Sequence, residues 1–597
     1  MERFTNNSIL NKNRELNNYQ LFFIQRWLEL LNINTHSKYA IKYLNIHQSL
    51  KEVVSVCEAS VNNELKSKEI HLQYVFDEAK ELANNDLIIK KHSPNHLSII
   101  KKAIEVNKSD FKNDSKINSK IFKLKYVIKY LENNFLQWII DDLQNNLNIN
   151  GDLESNQKDL KNLEALIQCL VSELLSKGWS IKKLYNIVKE ELMNSSMEAR
   201  EWECFFQGFM SEKEEFSCLF SFPNQPSKDF LDALSKLTNN VYVGAEVKTK
   251  FFEVSGLEFI SDEHIFYLQI VESYDQYSAV NIAWQNMQTK FDILRFYGFE
   301  IPETSISPVI ITNSDNKLHR NTKVQLVDDK KKYKAPERLY KGAHNILLNN
   351  SNNLEARRIK NLLEFNRISE QSLAPQSTFL NLWIGLESFT QSLENDGINE
   401  NVKMVVKAAS SYNYIYSILK NFIADCKRCK PEVRHHLNDR IIKTDRLKPI
   451  DLLRLLSIPK QAAIIKRSCY EKNILLGYRC EEVLETVLNG REASKMIKSH
   501  RKTLERHIQR LYRTRNEITH SGNVDSDLTL FIRHLHEYIE ATMTVVISML
   551  DEKDLSIEEV FAFVRDNVET TIEVIKNKDE FDDETFFDLL LTGAIKL

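Results

Sequence analysis

Apolar positions recur every three or four residues through most of the chain. Leu21, Phe22, Ile24, Trp27, Leu28 and Leu31 do so near the start, and Leu160, Leu163, Leu166, Ile167, Leu170 and Leu174 repeat the spacing. This is the pattern of helices that bury one face. Asn-rich polar stretches around Asn84, Asn113 and 145–150 separate such blocks and read as loops. Beyond about 346 the pattern returns. Phe379, Leu382, Trp383, Leu386, Phe389 and Leu393 form one stripe, and Leu530, Ile532, Leu535, Ile539 and Met543 another. The acid-rich stretch from 551 onward keeps apolar positions at Val560, Phe563, Val564, Phe586, Phe587 and Leu590, so it reads as an amphipathic tail. No repeat of 30–45 residues is visible, which argues against a regular helical solenoid.

Between about 206 and 312 the texture changes. Val241, Tyr242, Val243 and Val247, then Phe251, Phe252 and Val254, then 265–271, then 309–311 are short β-branched and aromatic runs. Gly244, Gly256, Asp262 and Pro308 punctuate them, as between strands, and 278–296 reads as a helix among them. The expected fold is mainly α. A helical N-terminal region spans 1–205, a mixed α/β sensing or regulatory module with a basic linker spans 206–345, and a helical bundle with the acidic tail spans 346–597. The linker, 313–341, clusters Lys330, Lys331, Lys332 and Lys334 and reads as a solvated loop, with an RNA-guiding patch as the alternative.

Composition sharpens this picture. Gly 13 and Pro 10 in 597 residues are few breakers, favouring long helices over glycine-rich or loop-rich architectures. Lys+Arg 80 against Asp+Glu 83 leaves a net charge of -3, so any nucleic-acid site must be a local patch. The start, MERFTNNSILNKNREL, lacks an apolar core like that of a secretory signal, and no run of about 18 apolar residues spans a bilayer. Eight irregularly spread cysteines read as reduced thiols. A cytoplasmic protein without a membrane partner is the expectation.

The candidate chemistry concentrates in LYRTRNEITHSGN, 511–523. Arg515 and His520 are separated by four residues, with Asn516 beside the arginine. Arg501 with His507 and Arg428 with His435 show that such spacing alone carries little. Here, however, the segment follows an amphipathic helix with Leu504, Ile508, Leu511 and Tyr512 on one side, and stops at Ser521-Gly522-Asn523. Asn516 and His520 share a helix face, with Arg515 to one side. Upstream, 498–515 holds Lys498, Arg501, Lys502, Arg506, Arg510, Arg513 and Arg515 with one acid, Glu505. A basic helix delivering an Arg/Asn/His cluster suits a phosphodiester. Lys502, Arg506, Arg510 and Arg513 are the expected RNA contacts.

RNEITH, preceded by this aromatic-containing basic helix and followed by Ser-Gly, resembles the active-site motif of HEPN ribonucleases. FLNLWIGLESF, 379–389, resembles the first core helix of the ApeA-like HEPN subgroup, with Glu387 at its acidic position about 130 residues before the motif. The resemblance covers roughly 350–550 and implies that the C-terminal helices form a HEPN bundle. It further implies an endoribonuclease of antiviral abortive-infection defence, restrained by its N-terminal modules until a phage-derived trigger appears. Two copies of the motif would face each other across a homodimer or a larger homo-oligomer.

The chemistry fits the residues. Histidine can move a proton at neutral pH, and the guanidinium of Arg515 can stabilise a phosphorane. Asn516 can position the phosphate or orient His520, and Glu387 can hold the arginine or histidine in place. No cofactor is required for such cleavage, whose products are a 2′,3′-cyclic phosphate and a 5′-hydroxyl. A non-catalytic RNA-binding or dimerisation scaffold is the alternative reading.

Two weaker signals remain. Cys426 and Cys429 with His435 could supply three ligands of a structural zinc, with Cys469 or Cys480 as the fourth; unbound reduced cysteines are the alternative. Glu246-Val247-Lys248, read as a strand, resembles half of a metal-dependent nuclease site that Asp229 or Asp232 would have to complete. No P-loop, G-x-G-x-x-G, H-E-x-x-H or G-x-S-x-G is present.

Overall fold

Helices with one apolar face must bury it on one another, and in the computed structural model they do. It describes residues 5–12, 15–32, 44–65, 68–148, 157–193, 199–324, 336–349, 354–372, 374–391, 397–430, 435–437, 440–442, 446–521, 528–550, 555–580 and 582–593. The polypeptide divides into two units, one joining 1–169 to 330–597 and the other comprising 170–329. Mostly helical structure with a small antiparallel sheet in the middle agrees with the mainly α expectation. Among the described residues no helix is long and apolar enough to cross a membrane.

In the first unit the two ends of the chain share one core. The helix Asn18–Leu31, capped by reciprocal bonds between Asn17 and Gln20, is buried almost all round. Its Arg26 and Glu29 meet Glu164 at 2.8 Å and Arg479 at 3.0 Å. Asn473 donates to the carbonyl of Thr5 at 2.9 Å, and Tyr478 donates to Glu164 at 2.8 Å. The helix Asp114–Leu147 runs 34 residues without Gly or Pro, starting from the side chain of Asn113, which accepts from the backbone N–H of Lys116. Its Ile117, Ile121, Leu124, Leu131, Phe135, Ile139 and Leu143 are buried, and Ile46–Val61 and Pro94–Ile104 pack on it. Asn84 and Asn145 stand in helix ends instead of loops. The acidic tail is folded: Val560, Val564, Phe586, Phe587 and Leu590 are buried in the helices Ile557–Val574 and Asp583–Thr592.

The second unit carries the sheet, β1 (Glu214–Ser221), β2 (Val241–Val243), β3 (Ile265–Ser273), β4 (Val309–Thr312) and β5 (Lys317–His319) in the order β2-β3-β1-β4-β5. All pairs are antiparallel, with Phe216 opposite Val271 and Cys218 opposite Ile310. Successive side chains point to opposite faces. Phe216, Cys218 and Phe220 pack with Ala283, Met287 and Phe291 of the helix Gln276–Phe296. Leu219 packs on the other face with Val247, Leu257 and Ile260.

The strand expectation fails at two places. Glu246 and Lys248 lie in a helix, Gly244–Lys250, where Glu246 accepts from the backbone N–H of Val243 and Lys248 pairs with Asp262 at 2.8 Å. Residues 251–254 form a turn. Only Val247 of that helix makes a large apolar contact with the sheet, so its β-branched letters reflect one packing position and no ladder. Glu246 and Lys248 therefore lack the strand setting of a nuclease half-site. The lysine cluster at 330–334 lies outside the described residues.

Candidate functional site

The motif sits at the end of the helix Gly490–Ser521. Gly490 starts it where a side chain would have no room: a Cβ there would stand 1.9 Å from the carbonyl oxygen of Ile575. Ala493, Ile497, Leu504, Ile508, Leu511 and Ile518 are buried along one side. The helix continues through the motif, so Asn516 and His520 stand one turn apart on it. The side chain of His520 lies outside the described residues.

The second element is the helix Pro375–Thr390, which opens with proline in its first turn and buries Phe379, Leu382, Trp383, Leu386 and Phe389. Glu387 lies one turn after Trp383, and the indole N–H donates to Glu387 Oε1 at 2.6 Å. This bond leaves Oε2 facing Arg515, whose Nη2 stands 3.8 Å away. Arg515 Nη1 donates to Asn516 Oδ1 at 3.1 Å, and Thr519 donates to the Arg515 carbonyl at 2.7 Å. Two segments about 130 residues apart thus bring a carboxylate, a guanidinium and an amide together. Arg515 keeps 29% of its side chain exposed, against 13% for Glu387, so the cation faces outward over a mostly covered acid.

The rest of the basic helix is different. Arg510 makes a two-pronged pair with Glu52, at 2.9 and 2.8 Å, and meets Glu78 at 2.8 Å. Arg513 also pairs with Glu52. Glu81 takes Lys502 at 2.8 Å and Arg506 at 3.0 Å. These acids lie on the helices Ile46–Val61 and Lys68–Asn85. Burial alone would raise the Glu52 carboxyl, but Arg510 and Arg513 outweigh it and hold it down at about 2. All four cations expected to meet RNA are occupied by carboxylates here, with Arg506 and Arg513 buried and Lys502 exposed. Sequence reading missed the acids. Their only trace is that His71, Tyr74, Glu78 and Glu81 form a polar stripe at helical spacing.

That stripe reaches the motif. Gln509 Nε2 lies 3.0 Å from His71 Nδ1, and His71 stacks on Tyr512 with ring centres 6.0 Å apart. Tyr512 in turn lies 6.1 Å from Trp383, the residue that holds Glu387. Deeper in the bundle, His507 Nε2 is 3.0 Å from His534 Nδ1, and the Tyr538 hydroxyl is 2.9 Å from His507 Nδ1. Burial lowers both imidazoles, His534 to about 3, so this pair is neutral and structural.

Cys426 and Cys429 are buried in an apolar cluster that also contains Cys469 and Cys480. Burial pushes the Cys429 thiol up to about 12, and hydrogen bonds with Cys426 and Cys480 hold the Cys469 thiol well above its ordinary value. Among the described residues no group of three or more His, Cys, Asp or Glu is placed to hold a metal. The His435 side chain lies outside them, its backbone forming a short hairpin strand.

No family model, curated protein or solved structure matches this chain.

Proposed function

We propose that the chain is a metal-independent endoribonuclease of the HEPN type, acting at the end of the helix Gly490–Ser521. The observation that supports this reading is the approach of Glu387 to Arg515, because the two segments carrying the resemblance converge on one another. In the reaction, an imidazole takes the proton of the ribose 2′-hydroxyl. The 2′-oxygen attacks phosphorus, and the 5′-oxygen leaves with a proton from a second imidazole. The bonds formed and broken leave a 2′,3′-cyclic phosphate and a 5′-hydroxyl. Arg515 stabilises the charge that develops on the phosphorane oxygens. Glu387, fixed by Trp383, sets the direction of that guanidinium, and Asn516 bonds to it from the other side.

One His520 per chain supplies one of the two proton carriers, so the site is completed by a second copy in a homodimer. An abortive-infection role against phage, set off by a phage-derived trigger, follows from the same reading. The contact series His71, Tyr512, Trp383, Glu387 offers the N-terminal helices a mechanical route to the site.

The scaffold reading draws on a different observation: Arg506, Arg510 and Arg513 serve internal docking. End-group analysis separates the two. Protein incubated with total RNA in extract of phage-infected cells, the source of the trigger, yields cyclic phosphate termini that the His520→Ala variant does not if the reading holds. Intact RNA, or 5′-phosphate and 3′-hydroxyl ends, contradicts it.

A further inference from the structure

The helix Asp114–Leu147 carries an aromatic row on its outward side. Phe122, Tyr126 and Tyr130 follow one another at four-residue spacing, about 6 Å apart along the axis at 1.5 Å per residue. Phe122 is 78% exposed and Tyr126 60%. A single exposed ring needs no explanation, but two, followed in register by the half-buried Tyr130 on a helix whose other side is the core, do. His96, from the helix Pro94–Ile104, lies flat on Tyr130 with ring centres 3.9 Å apart. Its Nδ1 is 2.7 Å from the Ser93 hydroxyl. A second pair of the same kind, His92 on Trp138 at 5.4 Å, follows along the helix and is anchored by Asp142, 2.9 Å from His92 Nε2.

Lysines border the row. Lys123 and Lys129 are exposed on either side of Tyr126 and make no ion pair among the described residues. Of the nearby acids, Glu132 is engaged by Lys51 at 2.9 Å and Asp142 by Lys91 at 2.5 Å.

We infer that Phe122, Tyr126 and Tyr130, with His96, Lys123 and Lys129, form a binding surface for single-stranded nucleic acid. Rings would stack on bases and the ammonium groups would follow the phosphates, a combination that holds single strands without reading their sequence. The alternatives fit less well. Interface cores are depleted of lysine, and a membrane-lying face needs a broad apolar band, whereas this row is one side chain wide. The inference does not depend on the ribonuclease reading, because binding here needs no cleavage.

The test is fluorescence anisotropy of a labelled 12-residue oligodeoxythymidine on the full chain. That probe has no 2′-hydroxyl and survives whether or not the protein cuts RNA. The surface predicts tighter binding of this strand than of a duplex of equal length. Phe122→Ala and Tyr126→Ala each weaken it about tenfold, with melting temperature unchanged because both rings are exposed. Lys123→Gln and Lys129→Gln each reduce the slope of log affinity against log salt by about 0.7. Equal affinity in the aromatic variants, equal binding of the duplex, capture by anionic phosphatidylserine vesicles in place of the strand, or loss of a dimer in the aromatic variants without loss of binding would each overturn the assignment.

Discussion

Two helices of the first unit carry runs of positive charge, and they use it in opposite ways. Along Gly490–Ser521 the cations are matched by acids: Glu52, Glu78 and Glu81 take the exposed Lys502 and the covered Arg506, Arg510 and Arg513. Along Asp114–Leu147, Lys123 and Lys129 face outward beside exposed rings. The aromatic neighbours tell them apart. Tyr512 is packed between His71 and Trp383, whereas Phe122 and Tyr126 have solvent over them. A basic helix is therefore no evidence of a nucleic-acid surface until its counter-charges have been located. In the first helix the last turn, with Arg515, meets Glu387 instead of the carboxylates of the N-terminal pair, and Lys498 and Arg501 pair with Glu573 and Glu569.

The sharpest way to break this contrast is to remove a counter-charge. Glu52→Gln leaves Arg513 buried without its carboxylate and is expected to lower unfolding free energy by about 3 kcal/mol in urea denaturation. Lys123→Gln, on the outward helix, should stay within about 0.5 kcal/mol. Equal effects would erase the distinction.

Acid acts on the same bundle. Burial keeps His534 neutral down to about 3, whereas the unfolded imidazole takes a proton near 6.5. The stability it confers is whole above pH 6.5 and is lost as pH falls toward 3, at about 1.4 kcal/mol per unit. Melting temperatures at pH 7, 6 and 5 should fall accordingly, and a flat profile over that range would contradict the neutral assignment. Glu52 adds to the loss only later, as pH falls from its unfolded value of 4.5 through about 2.

A smaller effect is expected at Glu387. Glu387→Gln keeps the bond from Trp383 but removes the charge facing Arg515, so cleavage should fall about tenfold in kcat with KM little changed. Lys502→Ala, at the exposed end of the counter-charged stripe, should cost less than about 1 kcal/mol.

Much of the helical fold was legible because a helix with one buried face repeats its apolar letters locally. Pro375–Thr390 declares itself this way. Glu214–Ser221 did not, since a central strand buried on both faces loses its alternation and reads as a short apolar run. Val247 misled in the opposite direction, a β-branched residue in a helix held by one contact. The charge pairing was invisible for a different reason. Glu52 and Arg510 lie 458 positions apart, and no local window connects them. At the candidate site, Glu387, Arg515 and Asn516 were legible as letters, whereas the indole bond that aims the carboxylate was not.

The most direct test is the initial rate of RNA cleavage in EDTA by the wild-type protein, His520→Ala and Arg515→Ala, each checked for an unchanged melting temperature. The account predicts cleavage that survives chelation and falls by about 10²–10⁴-fold in either variant. Equal rates in all three proteins, or activity that EDTA abolishes, would contradict it.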